Sequence, residues 1–265
     1  MKTPLSPRES TLLVACAALA LLAAAGPHVP APPAYHSFAD TRAWGALPNA
    51  GDVLSNLAFA LAGLVGAWKV WRLPRGALTN MQRAMAGLFF AGLVLTAACS
   101  AWYHLGPDDA RLVVDRSGMA VAFAGLLGLA VTTRVGERAA AFVGLAFLAA
   151  APLALHASVQ GELLPWVVLQ FGGMALLVLL ALGRPLPDAL PVRWLAIVAI
   201  YCAAKACEGL DGWAFAASGY LFSGHTLKHL VAACAALPVI AALGWHNAAE
   251  PRGALRPRTL RRISS

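Results

Sequence analysis

The chain has 265 residues, of which 60% are hydrophobic and only 12% charged, and its mean hydropathy is +0.69. Soluble domains carry about 25% charged residues, so an ordinary water-soluble domain is excluded. The formal net charge of +8 need not mean nucleic acid, because its meaning depends on where the basic residues lie.

In chain order, eight apolar segments near membrane-spanning length run roughly over 11–25, 52–71, 84–104, 112–133, 139–156, 163–182, 193–210 and 225–244. Proline and glycine gather in the stretches between them, as expected where helices end. The expected class is an all-α integral membrane protein. Its organisation reads as an N-terminal apolar segment (1–26), a loop (27–51), a membrane domain of seven helices (52–245) and a basic tail (246–265). The first segment, "MKTPLSPRESTLLVACAALALLAAAG", is compatible with a cleaved signal peptide and equally with a retained helix; retention is the expectation adopted. Cys16, Cys99, Cys202, Cys207 and Cys234 are scattered in apolar runs without paired spacing, so they read as small packing residues.

Charge asymmetry predicts orientation. With Lys2 and Arg8 in the cytoplasm, fifteen basic residues fall on the inner side, including Lys69, Arg72, Arg134, Arg184 and the tail arginines from Arg252 to Arg262. Only Arg42, Arg111 and Arg116 fall in outer connections, while Lys205 and Lys228 lie inside helices. Both termini are then cytoplasmic, and the tail is drawn to anionic headgroups.

Ionisable residues inside membrane helices cost several kcal/mol unless paired or hydrated, which makes them functional candidates. His104 ends the third segment, Asp115 begins the fourth, and His225 and His229 begin the eighth, so all four sit at one depth near the outer face. His225 and His229 are i and i+4 and project from one helix face, as do Ser100 and His104 on another helix. Three imidazoles with one position left for water is a common composition of catalytic zinc sites. Asp115 returns beside His104 across the "GPDDAR" turn, where it could orient that water or accept its proton; Ser100 could hydrogen-bond a developing oxyanion. A membrane histidine can also be a packed, hydrogen-bonding residue, and His28, His36, His156 and His246 read as loop histidines.

The pattern Ser100-x-x-x-His104, Asp115 eleven residues later, and His225-x-x-x-His229 in the last helix resembles the alkaline ceramidase family, whose superfamily includes adiponectin-receptor-like proteins. The stretches "FADTRAWGALPNAGDVLSNLAF", "SAWYHLGPDDARLVVDRSGMAVAF" and "SGHTLKHLVAA" resemble bacterial members, and the likeness spans 35–245. It implies a seven-helix bundle, here with one helix more, holding zinc near one membrane face. It implies an amidase that hydrolyses ceramide, or a related N-acyl lipid of the bilayer, to a long-chain base and a fatty acid. By the same resemblance His104, His225 and His229 are zinc ligands, Asp115 handles the proton of the attacking water and Ser100 supports the oxyanion. The protein would sit in a bacterial inner membrane with its site near the outer face.

The eukaryotic ceramidases bind calcium through an acidic segment before their first helix. Here that region offers only Asp40, Asn49 and Asp52, short of the six or more oxygens calcium takes. Capping of turns and of the following helix is the preferred role for these three. Ser55 and Asn56 read as interhelical packing residues. Lys205 and Glu208 are expected to pair, and Lys228 to point off the histidine face and snorkel to the headgroups. Beside the enzyme stand a receptor-like or lipid-sensing protein with a structural zinc, and a bis-histidine haem protein. Neighbouring histidines on one helix suit haem poorly.

Overall fold

The computed structural model describes residues 4–187 and 189–248, with Trp245–Ala248 as backbone only. The expected basic tail lies outside the described residues from 249 onward. The described chain is helical apart from loops and two isolated bridges, Pro30 with Glu162 and Trp44 with Leu47. The helices are α1 (Pro7–Ala25), α2 (Ala50–Ser55), α3 (Leu57–Arg72), α4 (Asn80–His104), α5 (Asp109–Arg134), α6 (Glu137–Val159), α7 (Leu164–Val167), α8 (Gly173–Leu182), α9 (Trp194–Gly209), α10 (Asp211–Ala217), α11 (Gly224–Ala233) and α12 (Leu237–Ala248). A π-helical turn, Val168–Gly172, joins α7 to α8, and a short 3-10 turn joins α11 to α12.

Taken through these joints, seven helical spans are long and apolar enough to cross a membrane among the described residues, the first near the N-terminus. Helix α9 has 16 residues and carries Lys205 and Glu208, which sets it apart from them. Large apolar side chains such as Leu61, Trp71, Leu145, Leu153 and Leu182 are exposed around the bundle. In water such surface would be a liability, whereas a lipid-facing helix requires it.

Local sequence sets the helix starts. Ser6 with Glu9, and Thr79 with Gln82, form reciprocal capping boxes at α1 and α4. The side chains of Asp108 and Ser223 accept the backbone N–H groups of Arg111 and Thr226, opening α5 and α11. The α4–α5 pair is the most extensive in the bundle, and glycine lets its backbones meet. A Cβ at Gly92 would lie 2.3 Å from Ala122 N, and one at Gly125 would lie 2.2 Å from Phe89 N. Helix α11 packs on α9, α2 and α3, while α1 lies at the periphery against the π turn, with Leu12 as its one buried residue.

Because the spans alternate in direction, the loop 26–49, the α4–α5 connection, the residues around Glu162 and the segment from Asp211 to Gly224 gather at one end of the bundle. The first turns of α2, α5 and α11 and the last turn of α4 meet there.

Candidate metal centre

His104 closes α4, and His225 and His229 project from the first two turns of α11. All three are buried, and one ring nitrogen from each lies within 4.8 Å of the others. His104 Nε2 and His225 Nε2 are 3.2 Å apart. Two imidazole nitrogens brought that close need something between them: a shared proton or a common cation. The donor set of three neutral imidazoles suits zinc, copper, iron or nickel.

The chain holds these rings from outside. Ser55 gives its proton to the Asp52 carbonyl (3.0 Å), so its Oγ accepts from His229 Nδ1 at 2.8 Å. That bond leaves the His229 Nε2 lone pair free, as metal-binding histidines require. His104 Nδ1 is buried without a partner. Asp211 accepts from the His225 backbone N–H at 2.8 Å and from Ala39 N–H at 2.9 Å, tying the start of α11 to the loop 26–49. Phe38 of that loop stands edge-on to His104 and His225, with ring centroids 4.9 and 4.5 Å away. The sequence did not flag it: a phenylalanine in a connection carries no signal.

The residues considered for calcium are engaged by protein groups. Asp40 accepts from Arg42 Nε at 2.8 Å and Nη2 at 2.7 Å, and the guanidinium holds its carboxyl below the usual carboxylate range. Asn49 donates its amide to the His104 carbonyl at 2.8 Å. Asp52 is fully buried, accepting from Thr226 Oγ1 at 2.7 Å and Ser223 Oγ at 3.4 Å. Among the described residues, the cluster placed to hold a metal is the histidine triad, which includes neither aspartate. Asp52 lies in the first turn of α2, as expected, and its carboxylate also makes this buried link from α2 to α11.

A cavity of about 480 Å³ adjoins the triad, within the range of small-molecule sites. His225, His229, Ser100 and Asp115 are among its polar lining, with Arg116, Lys205, Glu208 and Lys228, and Leu93, Phe123, Leu126, Met174 and Ile197 are among its apolar lining. Ser100 and Asp115 are neighbours on the cavity wall. The structure therefore brings the five residues singled out in the sequence to one place, four on the cavity and His104 in the cluster behind it.

Two cations depart from expectation. Lys228 does not snorkel outward: its Nζ lies 2.9 Å from His225 Nε2 and 3.1 Å from Glu208 Oε1. Residues three apart on a helix share a face, so Lys228 belongs on the side of His225, and the Glu208 carboxylate outcompetes the distant headgroups. Lys205 pairs with the same carboxylate, as expected. Arg116, assigned to an outer connection from its place near the turn, is only 2% exposed and lies within the bundle on the cavity wall. It bonds Tyr35 Oη at 2.6 Å, and its guanidinium sits 5.2 Å from the Tyr35 ring and 5.1 Å from the Trp166 ring. Cation–π contacts contribute about 0.5–2 kcal/mol each, below the several kcal/mol that burying an ion costs.

Of the loop histidines, His28 pairs with Glu162, and His36 lies between Tyr103 Oη (2.9 Å) and Asp109 (3.0 Å). Comparison with protein-family models and with curated proteins finds no match for this chain.

Proposed function

We propose that this protein is a zinc-dependent intramembrane amidase that hydrolyses ceramide or a related N-acyl lipid to a long-chain base and a fatty acid. What carries the reading is the buried His104–His225–His229 cluster beside a cavity that presents Ser100 and Asp115 and has an apolar stretch along Leu93, Phe123, Leu126, Met174 and Ile197. The resemblance to alkaline ceramidases points the same way.

The reaction adds water across the amide: the C–N bond breaks, hydroxyl joins the acyl carbon, and the nitrogen leaves with the remaining proton. Zinc held by the three imidazoles would supply acidified water and polarise the carbonyl. Asp115 takes the proton of the attacking water and returns it to the departing nitrogen. Ser100, turning from Asp115, donates its hydroxyl to the carbonyl oxygen as that oxygen gains charge. Loss of one such donor costs about 10²–10³ in rate. Ser55 and Phe38 hold the imidazoles, and the acyl chain lies among Leu126, Met174 and Ile197.

In this reading 52–245 forms the seven-helix domain, α1 is an additional helix, and α9 completes the bundle despite its length. The distribution of basic residues supports cytoplasmic termini and a site near the outer face, as in a bacterial inner membrane.

Elemental analysis of purified protein should give one zinc per chain, and incubation with ceramides of several chain lengths should release fatty acid. His225→Ala should lose metal and turnover together; full turnover by a zinc-free His225→Ala protein overturns the proposal. Zinc at one per chain with no hydrolysis of any N-acyl lipid would favour the lipid-sensing alternative, in which the metal is structural.

A further inference from the structure

Arg116 is a buried guanidinium without a carboxylate partner among the described residues: its hydrogen bond goes to a phenol and its faces to two rings. An arginine keeps its charge at any ordinary pH and carries five N–H donors. One of them meets Tyr35. The neighbouring Asp115 attracts Arg116 electrostatically, but no hydrogen bond or ion pair joins the two among the described residues.

The place of Arg116 says what it faces. Arg116, Tyr35 and Trp166 line the same cavity as Ser100, Asp115 and the histidines. Tyr35 comes from the loop 26–49 and Trp166 from α7, both at the end of the bundle where the histidines gather. Leu126, Met174 and Ile197 line the cavity further along their helices. An N-acyl lipid with its amide at Ser100 and Asp115 and its acyl chain among those apolar residues therefore sends its amine-side portion toward Arg116. A planar guanidinium with unused donors, presented from between two aromatic faces, fits a carboxylate or phosphate oxygen pair.

We infer that Arg116 binds an anionic group on the amine-side portion of the substrate, so that among the N-acyl lipids of the proposed reaction acidic ones are favoured over neutral ones, ceramide included. The inference rests on the amidase reading for the amide and its placement. Arg116 acts here as a specificity residue, contacting a part of the lipid away from the bond that breaks.

Three probes separate the possibilities: N-oleoylglycine, N-oleoylethanolamine and the phosphate ester of N-oleoylethanolamine. They share the acyl chain, the amide and a two-carbon head, and differ in bearing a carboxylate, a hydroxyl or a phosphate. Binding is measured on the metal-loaded full chain in neutral phosphatidylcholine nanodiscs, with each probe expressed as mole fraction in the bilayer. The expected result is at least tenfold tighter binding of one or both acidic probes than of the neutral one. The carboxylate and phosphate arms show which acid is read. In Arg116→Gln this preference should fall to within twofold, and Arg116→Lys should keep part of it.

Equal binding of all three by the unsubstituted protein overturns the inference without reference to any variant, and so does a preference that survives intact in Arg116→Gln. Fatty-acid release is followed in the same samples. Acid preference without release from these probes or from ceramide removes the amidase reading and leaves the anion site standing. Release from all three probes at equal kcat/KM with no binding preference does the reverse.

Discussion

The Ser55 hydroxyl accepts a hydrogen bond from His229 Nδ1 at 2.8 Å while donating its own proton to the Asp52 carbonyl. One hydroxyl thus fixes both the tautomer and the ring angle of a candidate ligand on a different helix. Partners of this kind typically change metal affinity by 10–100-fold. Ser55→Ala should weaken zinc binding by about that factor in competition with a chromophoric chelator, and Ser55→Thr, which keeps the hydroxyl, should restore most of it. Unchanged affinity in Ser55→Ala would mean that packing alone holds the ring.

Lys228 and His225 have the opposite relationship. The ammonium lies 2.9 Å from the Nε2 that faces His104, where it competes for the same lone pair as a metal and repels a cation. Glu208, 3.1 Å away, offers it an alternative partner. Replacing it by methionine keeps the length of the side chain and removes the charge. Lys228→Met should tighten zinc binding by about tenfold, or roughly 1.4 kcal/mol, in the same chelator titration. A fall in affinity would show that Lys228 supports the centre instead of opposing it.

What the sequence reveals here is position along each helix axis. Hydropathy and punctuation locate the helices within a few residues, and alternation then places His104, Asp115, His225 and His229 at one level. The i, i+4 spacing of His225 and His229 completes the case for a metal. Rotation about each axis and the path of loops are less accessible. Whether Ser55 meets lipid, a neighbour or His229 depends on the angle between α2 and α11, which no local pattern encodes. Arg116 reads as a boundary charge because it is seven residues past the start of α5, yet the helix turns it onto the cavity. Lys228 could have been read correctly, since three residues of separation keep it on the side of His225. Phe38 and the loop around it leave no signal, because their role comes from lying across the helix ends.

The α4–α5 contact offers a test of how strictly the bundle positions these residues. Ser100 and His104 belong to α4 and Asp115 to α5, and Gly92 and Gly125 allow the two backbones to approach. A side chain at either glycine meets main chain, which cannot rotate away. Gly92→Val should cost about 3 kcal/mol or more and separate Asp115 from Ser100. It should appear as a lower melting temperature in detergent together with lost turnover. Gly87, on the same helix, has nothing within 4 Å of the place a Cβ would take, so Gly87→Ala should leave the melting temperature unchanged or raise it. Equal damage from both would argue against a close-packed seam.

The loop 26–49 should be held by carboxylates and therefore be sensitive to acid. Asp40 is gripped by Arg42, whose Nη2 also donates to the Leu221 carbonyl at 3.2 Å. Glu162 accepts from Val29 N–H at 3.1 Å and Leu164 N–H at 2.8 Å. The arginine lowers the Asp40 carboxyl, and the backbone N–H groups of Leu164 and Val29 lower that of Glu162. A carboxyl lowered on folding stabilises the folded state above its unfolded value, and that contribution is lost as pH falls through the lowered folded value. Hydrogen exchange over residues 28–42, corrected for the intrinsic rate, should be flat from pH 7 to about 5 and rise below the ordinary carboxylate range near 4. Arg42→Gln should bring on the rise around Asp40 at a higher pH while leaving that near Val29 in place. A loop equally protected at pH 3 and pH 7 would show that Phe38 and its apolar neighbours hold it, with the carboxylates contributing little.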